Sequence, residues 1–479
     1  MKAFPIIVLF LFMTSFFCLW GNGNSIIDSN EYSRNPYPNY VSPTPGEFPI
    51  IAWSPFYDRR NPTQHDFDTL KECGFNCAIT PFDTTKLVPL LNGISDLGIS
   101  LIPIIDYYYK RQKYVSCKNL LDRIYYHMQL NGIDSGFIRG IRVLDEPHQY
   151  EMHDLGKMCD SIRLWYPNVM PYVNLVGVAS RDFMSPTNSH SSYSSDSLNR
   201  DTYSNYISNF YNEISPGVLS YDFYPLAYYS STDSLVINYD DFYYDLQLYA
   251  QLSNEWGIPF WAFCQSTNKR TFINNSIEYR ELPAATERYL RFEAFNALAF
   301  GAQGINYWRY ANNSNVPSAT SLYISSLVDT LGHKSLAWYA AQKINNEIRE
   351  NEHIFLGARL QSYQFVGSSY LKPSVGTQIS SNLGNFTAWL VSGKGALITR
   401  LSSHGSSYIM VVNQDPLHST SLSFLYRSPA YTSALVYSRG MQTVSSENQN
   451  TDSEGGPMYT TSTIVLEPSG YFIYRCSTH

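Results

Sequence analysis

The stretch Phe137–His148, FIRGIRVLDEPH, decides how the rest of the chain is read. Its apolar run into Val143 and Leu144 is short enough for a strand. Asp145, Glu146 and Pro147 follow at once. The proline lacks a backbone donor and keeps its predecessor out of the helical region, so the strand stops and a turn begins there. Two carboxylates at the end of a buried strand are costly to keep without a use. The expectation is a strand end placed at the mouth of a pocket.

The same pattern repeats on both sides of this stretch. Upstream, FPIIAWSPF (48–56), Phe75–Phe82 and ISLIPIID (99–106) read as strands. Downstream, Met170–Val176, VLSYDFYP (218–225), PFWAFCQ (259–265) and GINYWRY (304–310) do the same. Helical pattern follows each strand, over about 62–73, 85–97, 120–130, 150–165, 203–214, 240–256, 284–300 and 321–350, with Gly74, Gly98 and Gly301 in stop positions. Strands alternating with helices imply a parallel sheet joined by crossovers. Eight repeats imply closure into an α/β fold of the (β/α)8 TIM-barrel type over residues 49–354. The alternative, an open doubly wound sheet, would want a Gly-rich turn after the first strand, and Trp53-Ser54-Pro55-Phe56 is not one. From 355 to 479 short strands separated by turn signals predict a small all-β sandwich, with a polar loop before Gly455 and Gly456. The Ser- and Asn-rich run 179–201 reads as a long loop, either a lid or an insertion.

Composition sets outer limits. The chain has 479 residues, net charge −7 and only 15% charged residues, with no basic block, which argues against nucleic acid as a partner. The 40 tyrosines exceed what a core needs, so some line surfaces or pockets, where such rings also stack on sugars. Residues 1–24 resemble a signal peptide: Lys2, an apolar run from Phe4 to Trp20, then Gly21 and Gly23. An extended leader, 25–48, follows. The expected location is secreted or periplasmic. A lipid anchor at Cys18 is the less favoured option, because Phe16 and Phe17 before it are bulky. The other cysteines show no framework or metal-site spacing and read as buried thiols.

Active sites of such barrels lie at the C-terminal strand ends. Those ends carry Trp53, Phe82 and Asp83, Asp106, Asp145 with Glu146 and His148, Asn174, Asp222 with Tyr224, Cys264 with Gln265, and Trp308. This inventory of carboxylates, amides and rings holds no metal triad and no phosphate loop, so neither metal nor cofactor is expected. It suits glycoside cleavage, in which one acid protonates the leaving oxygen and a second carboxylate attacks or activates water. Glu146 is the candidate acid/base, and Asp145 is read as pointing away or capping the next loop. Trp53, Asp106, Asn174, Tyr224, Gln265 and Trp308 are the candidate substrate contacts.

Four segments carry a family resemblance: GFNCAITPF (74–82), VLDEPH (143–148), YDFYP (221–225) and RYLRFEAFNALAFGAQGINYW (288–308). Through them the first 350 or so residues resemble a clan A glycoside hydrolase, similar to the family 42 β-galactosidase-like group of secreted Bacteroidetes proteins. The resemblance implies that Glu146 is the acid/base and that Trp308 is the ring beneath the sugar. It also implies a nucleophilic glutamate at the seventh strand end, where this chain has Cys264 and Gln265. Three readings follow for the second carboxylate. Glu278 or Glu281 reaches back from the following loop; Asp222 serves as base in an inverting reaction, assisted by Asp106; or the barrel binds carbohydrate without cleaving it. A weaker alternative makes the barrel a scaffold and the sandwich the binding part. The expected partner is an oligo- or polysaccharide, with no obligate protein partner evident.

Overall fold

Strand β1 (Ile50–Trp53) pairs in parallel with β2 (Cys77–Pro81) on one side and with the last barrel strand, β8 (Ile305–Trp308), on the other. That double pairing closes the sheet. Between them run β3 (Ser100–Ile104), β4 (Gly140–Asp145), β5 (Met170–Val176), β6 (Leu219–Asp222) and β7 (Phe260–Gln265), in the order of the chain. The computed structural model describes residues 40–56, 62–81, 87–180, 184, 196–272, 279–312, 321–367, 379, 381–384, 386–427, 436–438, 448–451, 457–460 and 464–476, with backbone alone at 106–115, 196–199, 279–281 and a few further positions. The expected signal peptide, Phe82, Asp83, Glu278 and most of the 179–201 run lie outside these residues.

The strands read as near-continuous apolar runs because both faces are covered. In β1, Ile50 and Ala52 pack outward against the helices, while Ile51 and Trp53 fill the barrel interior. In β7, Trp261 and Phe263 point inward, and Ala262 and Cys264 point outward. Helices α1 (Gln64–Glu72), α2 (Leu87–Asp96), α3 (Asp106–Leu130), α4 (Met152–Trp165), α5 (Asp196–Ile214), α6 (Tyr239–Trp256), α7 (Glu287–Ala299) and α8 (Leu336–Glu350) follow the eight strands in turn. Local chemistry sets their ends. Thr63 and Asp66 form a reciprocal capping box at the start of α1, and Gly74 just beyond its end has φ 89°, a conformation that favours glycine.

Several sequence expectations need correction. Helix α3 starts at Asp106, well before residue 120, because its first turns carry charge and tyrosine rather than an apolar stripe. The 179–201 run ends in helix, since α5 begins at Asp196. The helical pattern over 321–350 begins as a strand, Ser321–Ser325. That strand belongs to a five-stranded antiparallel sheet in the order Ser321–Ser325, Asn268–Phe272, Tyr279–Leu282, Leu226–Tyr229, Ser234–Ile237. All five strands come from the segments after β6, β7 and β8, so the sheet is built at the C-terminal rim of the barrel.

Beyond α8 the chain forms two further antiparallel sheets. One contains Arg359–Gly367, Gly395–Ser403, Ser406–Asn413, Tyr471–Cys476 and Val436–Ser438; the other contains Phe386–Ser392, Thr420–Arg427, Pro457–Thr460 and Asn448–Thr451, with Ile464–Leu466 paired to Thr420–Arg427. Part of the run expected to be polar loop is strand, since Asn448–Thr451 pairs with Pro457–Thr460, while Gly455 and Gly456 lie outside the described residues. Side chains from both sheets share one apolar cluster, including Phe386, Phe424, Ile409 and Phe472. The first sheet also joins the core of the barrel helices. Tyr471 stacks on Phe295 of α7 at 4.1 Å, and the Tyr363 hydroxyl donates to Gln247 Oε1 of α6 at 2.6 Å.

A buried ion pair ties α7 to α8 beside this junction. Arg291 of α7 donates to both carboxylate oxygens of Glu347 of α8, at 2.5 and 3.1 Å, and lies over the Phe295 ring at 4.7 Å. Removing one member of a buried pair leaves the other charge uncompensated. Glu347→Leu is therefore expected to cost about 3–5 kcal/mol, measured by chemical or thermal unfolding, and adding Arg291→Met should recover part of that loss.

Candidate active site

The candidate residues Asp145, Glu146, Asn174 and Asp222, at the ends of β4, β5 and β6, meet because of one irregularity. Arg142 of β4 pairs with Tyr172 of β5, but the register slips before Leu144 pairs with Val173 and Asp145 with Asn174. Val143 and Leu144 both pack outward as a result, and Asp145 turns in beside Asn174. A bulge of this kind re-aims the side chains beyond it. Glu146 then takes a left-handed backbone, φ 48°, and its N–H donates to the Asn174 carbonyl at 2.9 Å. Such a backbone is strained for a glutamate and occurs often at functional sites. The expectation that Asp145 points away from Glu146 is thus corrected: both line one cavity.

That cavity holds about 320 Å³ and opens at the C-terminal end of the barrel. Trp53, Asp145, Glu146, Asn174, Asp222, Tyr224 and Trp308 line it, joined by Phe263, Leu282, Lys269 and Thr271. Asn174 organises the acids. Tyr172 and Ser220 share a hydrogen bond of 2.9 Å, and the Ser220 hydroxyl donates to Asn174 Oδ1 at 2.9 Å. The amide nitrogen is thereby turned to the carboxylates, donating to Asp222 Oδ1 at 2.7 Å and more weakly to Asp145 Oδ1 at 3.3 Å. Arg142, buried and 4.5 Å from the Trp53 ring, donates to Asp145 Oδ2 at 3.3 Å.

Asp222 bears the cost of this crowding. Burial, then the charges of Glu146 and Asp145, push its carboxyl well above the usual carboxylate range, against the hydrogen bonds from Asn174 and Tyr224 that pull it down. Aromatic rings line the cavity beside the acids. Tyr224 stacks on Trp308 at 5.0 Å, and Trp53 meets Phe263 edge-on at 5.2 Å. Trp308 also precedes a cis peptide bond to Arg309.

The seventh strand end differs from the other rim positions. Gln265 is buried, does not line the cavity, and its Oε1 has no hydrogen-bond partner. Cys264 faces the helix layer, where burial raises its thiol well above the ordinary value, so it is no nucleophile for this cavity. Behind it, Glu293 of α7 accepts the Gln265 backbone N–H, and burial pushes its carboxyl up to about 8. Sequence reasoning did not single out Glu293, which reads as one of several polar letters in α7. Asp106 opens α3, and its side chain lies outside the described residues, as does that of Glu281. Lys269 and Thr271 were also missed, because nothing in the loop after β7 marks a strand returning over the rim. Among the described residues, no three His, Cys, Asp or Glu side chains are spaced to hold a metal ion, and no helix is long and apolar enough to cross a membrane.

The raised carboxyl of Asp222 has a signed consequence for stability. The folded chain holds that proton to higher pH than the unfolded chain, so stability falls as pH rises from the ordinary carboxylate range through the folded value. Asp222→Asn removes this penalty and keeps an acceptor for Asn174 and Tyr224. Melting curves at about pH 4 and about pH 8 should show the variant gaining on the native chain as pH rises. A gap that does not change with pH would contradict the assignment.

No model of a known protein family matches this chain, and no curated protein matches it in sequence.

Proposed function

We propose that the chain is a glycoside hydrolase whose reaction runs between Glu146 and Asp222. The observation that carries this reading is the meeting of those carboxyl groups in one open cavity walled by Trp53, Tyr224 and Trp308. Glu146 acts as general acid and gives its proton to the glycosidic oxygen as the bond to the anomeric carbon breaks. Asp222 takes a proton from water, whose oxygen forms the new bond to that carbon. Asn174 and Tyr224 donate to Asp222, and these bonds favour the ionised form that a base needs, against the burial and neighbouring charges that raise its carboxyl. A base with a raised pKa is also the stronger one near neutral pH. Asp145, paired with Arg142, holds negative charge beside a positive anomeric centre. Trp308 supplies the ring beneath the sugar.

The remaining expectations fit this reading. The two C-terminal sheets, which share an apolar cluster, form a β-sandwich set on the barrel helices. Residues 1–24 act as a signal peptide and direct the enzyme to glycans outside the cytoplasm. One observation favours a second reading, carbohydrate binding without cleavage: β7 ends in Phe263, Cys264 and Gln265, with no carboxylate among them.

Hydrolysis of aryl glycosides and polysaccharides separates the two. The native chain should turn over at least one substrate, and Glu146→Gln and Asp222→Asn should each lower kcat by about a hundredfold or more while the fold persists. Glycan binding by the native chain with no turnover of any substrate would establish the second reading instead.

A further inference from the structure

The rim sheet brings one cation into the cavity, and the proposed chemistry does not use it. Lys269 sits on the strand Asn268–Phe272, directly after β7. Side chains two apart on a strand share a face, so Lys269 and Thr271 both look into the cavity while Arg270 looks away. Lys269 pairs in register with Tyr323 on one side and with Leu282 on the other, which completes a pocket-facing patch of the sheet.

Among the described residues the lysine is held by rings. Its Nζ lies 5.7 Å from the Trp308 ring centre and 5.3 Å from that of Tyr323, and it makes no ion pair among the described residues. Arg309 lies over the same Tyr323 ring at 4.5 Å and adds to the positive field. Rings position a cation but leave its charge uncompensated. A half-buried ammonium facing a cavity is a ready-made donor for an anion.

The placement is polarised. In the closed barrel β8 stands opposite β4, so the Lys269–Trp308 corner lies across the barrel from the strand end that carries Asp145 and Glu146, while Asp222 stands nearer to it through Tyr224, which stacks on Trp308. An anionic group on a bound sugar would approach the acids if it pointed one way and Lys269 if it pointed the other. We propose that the cavity takes an anionic glycan, whose carboxylate or sulfate is held by Lys269 at the Trp308–Tyr323 corner while its glycosidic bond lies toward Glu146. Thr271 adds a hydroxyl donor on the same face. This inference rests on the glycosidase reading and narrows its substrate class.

The test measures initial rates of the full chain on p-nitrophenyl uronides, sulfated aryl glycosides and the matching neutral glycosides, in both anomeric forms. The expected result is a higher kcat/KM for a uronide or a sulfated sugar than for its neutral partner, and the two arms tell the two anions apart. Lys269→Met should lower the anionic-to-neutral ratio by about tenfold or more. Lys269→Arg should restore most of it, and Arg270→Met, on the outer face, should leave it where it was. Turnover of neutral sugars with no anionic preference, or a ratio that Lys269→Met does not move, overturns the inference and leaves the glycosidase reading standing. If nothing is turned over, equilibrium binding of uronic-acid and sulfated oligosaccharides decides. Binding lost in Lys269→Met supports the lysine's role in a non-cleaving site, and no binding of any anionic glycan overturns it.

Discussion

The pairing of Ile50 and Ala52 in β1 with Ile305 and Tyr307 in β8 is the contact on which the rest depends. It turns an open sheet into a closed one and leaves no unpaired edge. With every strand parallel, all eight C-terminal ends reach the same rim. Residues as distant in the chain as Trp53, Glu146, Asp222 and Trp308 become neighbours for that reason alone. The closure also gives the segments after β6, β7 and β8 a common rim, over which they pair with one another as a separate sheet.

The rim then has to hold several acids in a partly dry space. Their mutual repulsion is met by neutral donors as much as by cations. The Tyr172–Ser220 hydrogen bond fixes which end of the Asn174 amide faces the carboxylates, and Arg142 offsets Asp145. Among the described residues no cation is paired with Asp222, and burial together with the Glu146 and Asp145 charges holds its proton more tightly than in water. A fold built for stability alone would not keep such an arrangement, since it costs free energy that the apolar core must offset.

Much of this was legible in the chain. Strand positions followed from apolar runs bounded by turn signals, and helix stops followed from glycines such as Gly74 and Gly98, both at positive φ. Glu146, Asn174, Asp222, Tyr224, Trp53 and Trp308 could be listed as rim residues because each stands near the end of an apolar run. Asp145 could not be read correctly. Strict alternation sends it away from Glu146, and only the slip in register between β4 and β5 returns it. A single extra residue in a strand reverses every facing beyond it, and no residue type announces it. Gln265 shows the opposite case. It occupies a strand end in the expected place, yet the packing around β7 buries it away from the cavity.

The sequence by itself determined the alternation of strands and helices, and with it the parallel barrel, because burial on two faces and helical periodicity are local patterns. It also determined which polar residues stand at strand ends. The tertiary structure decided which of those side chains share a cavity, how the Asn174 amide is turned, and that Lys269 enters from a strand after β7. Those outcomes depend on pairings between segments tens of residues apart, such as Lys269 with Tyr323 and Asp145 with Asn174. Long-range register is set by the sum of many packing contacts, and no local stretch of the chain carries that sum.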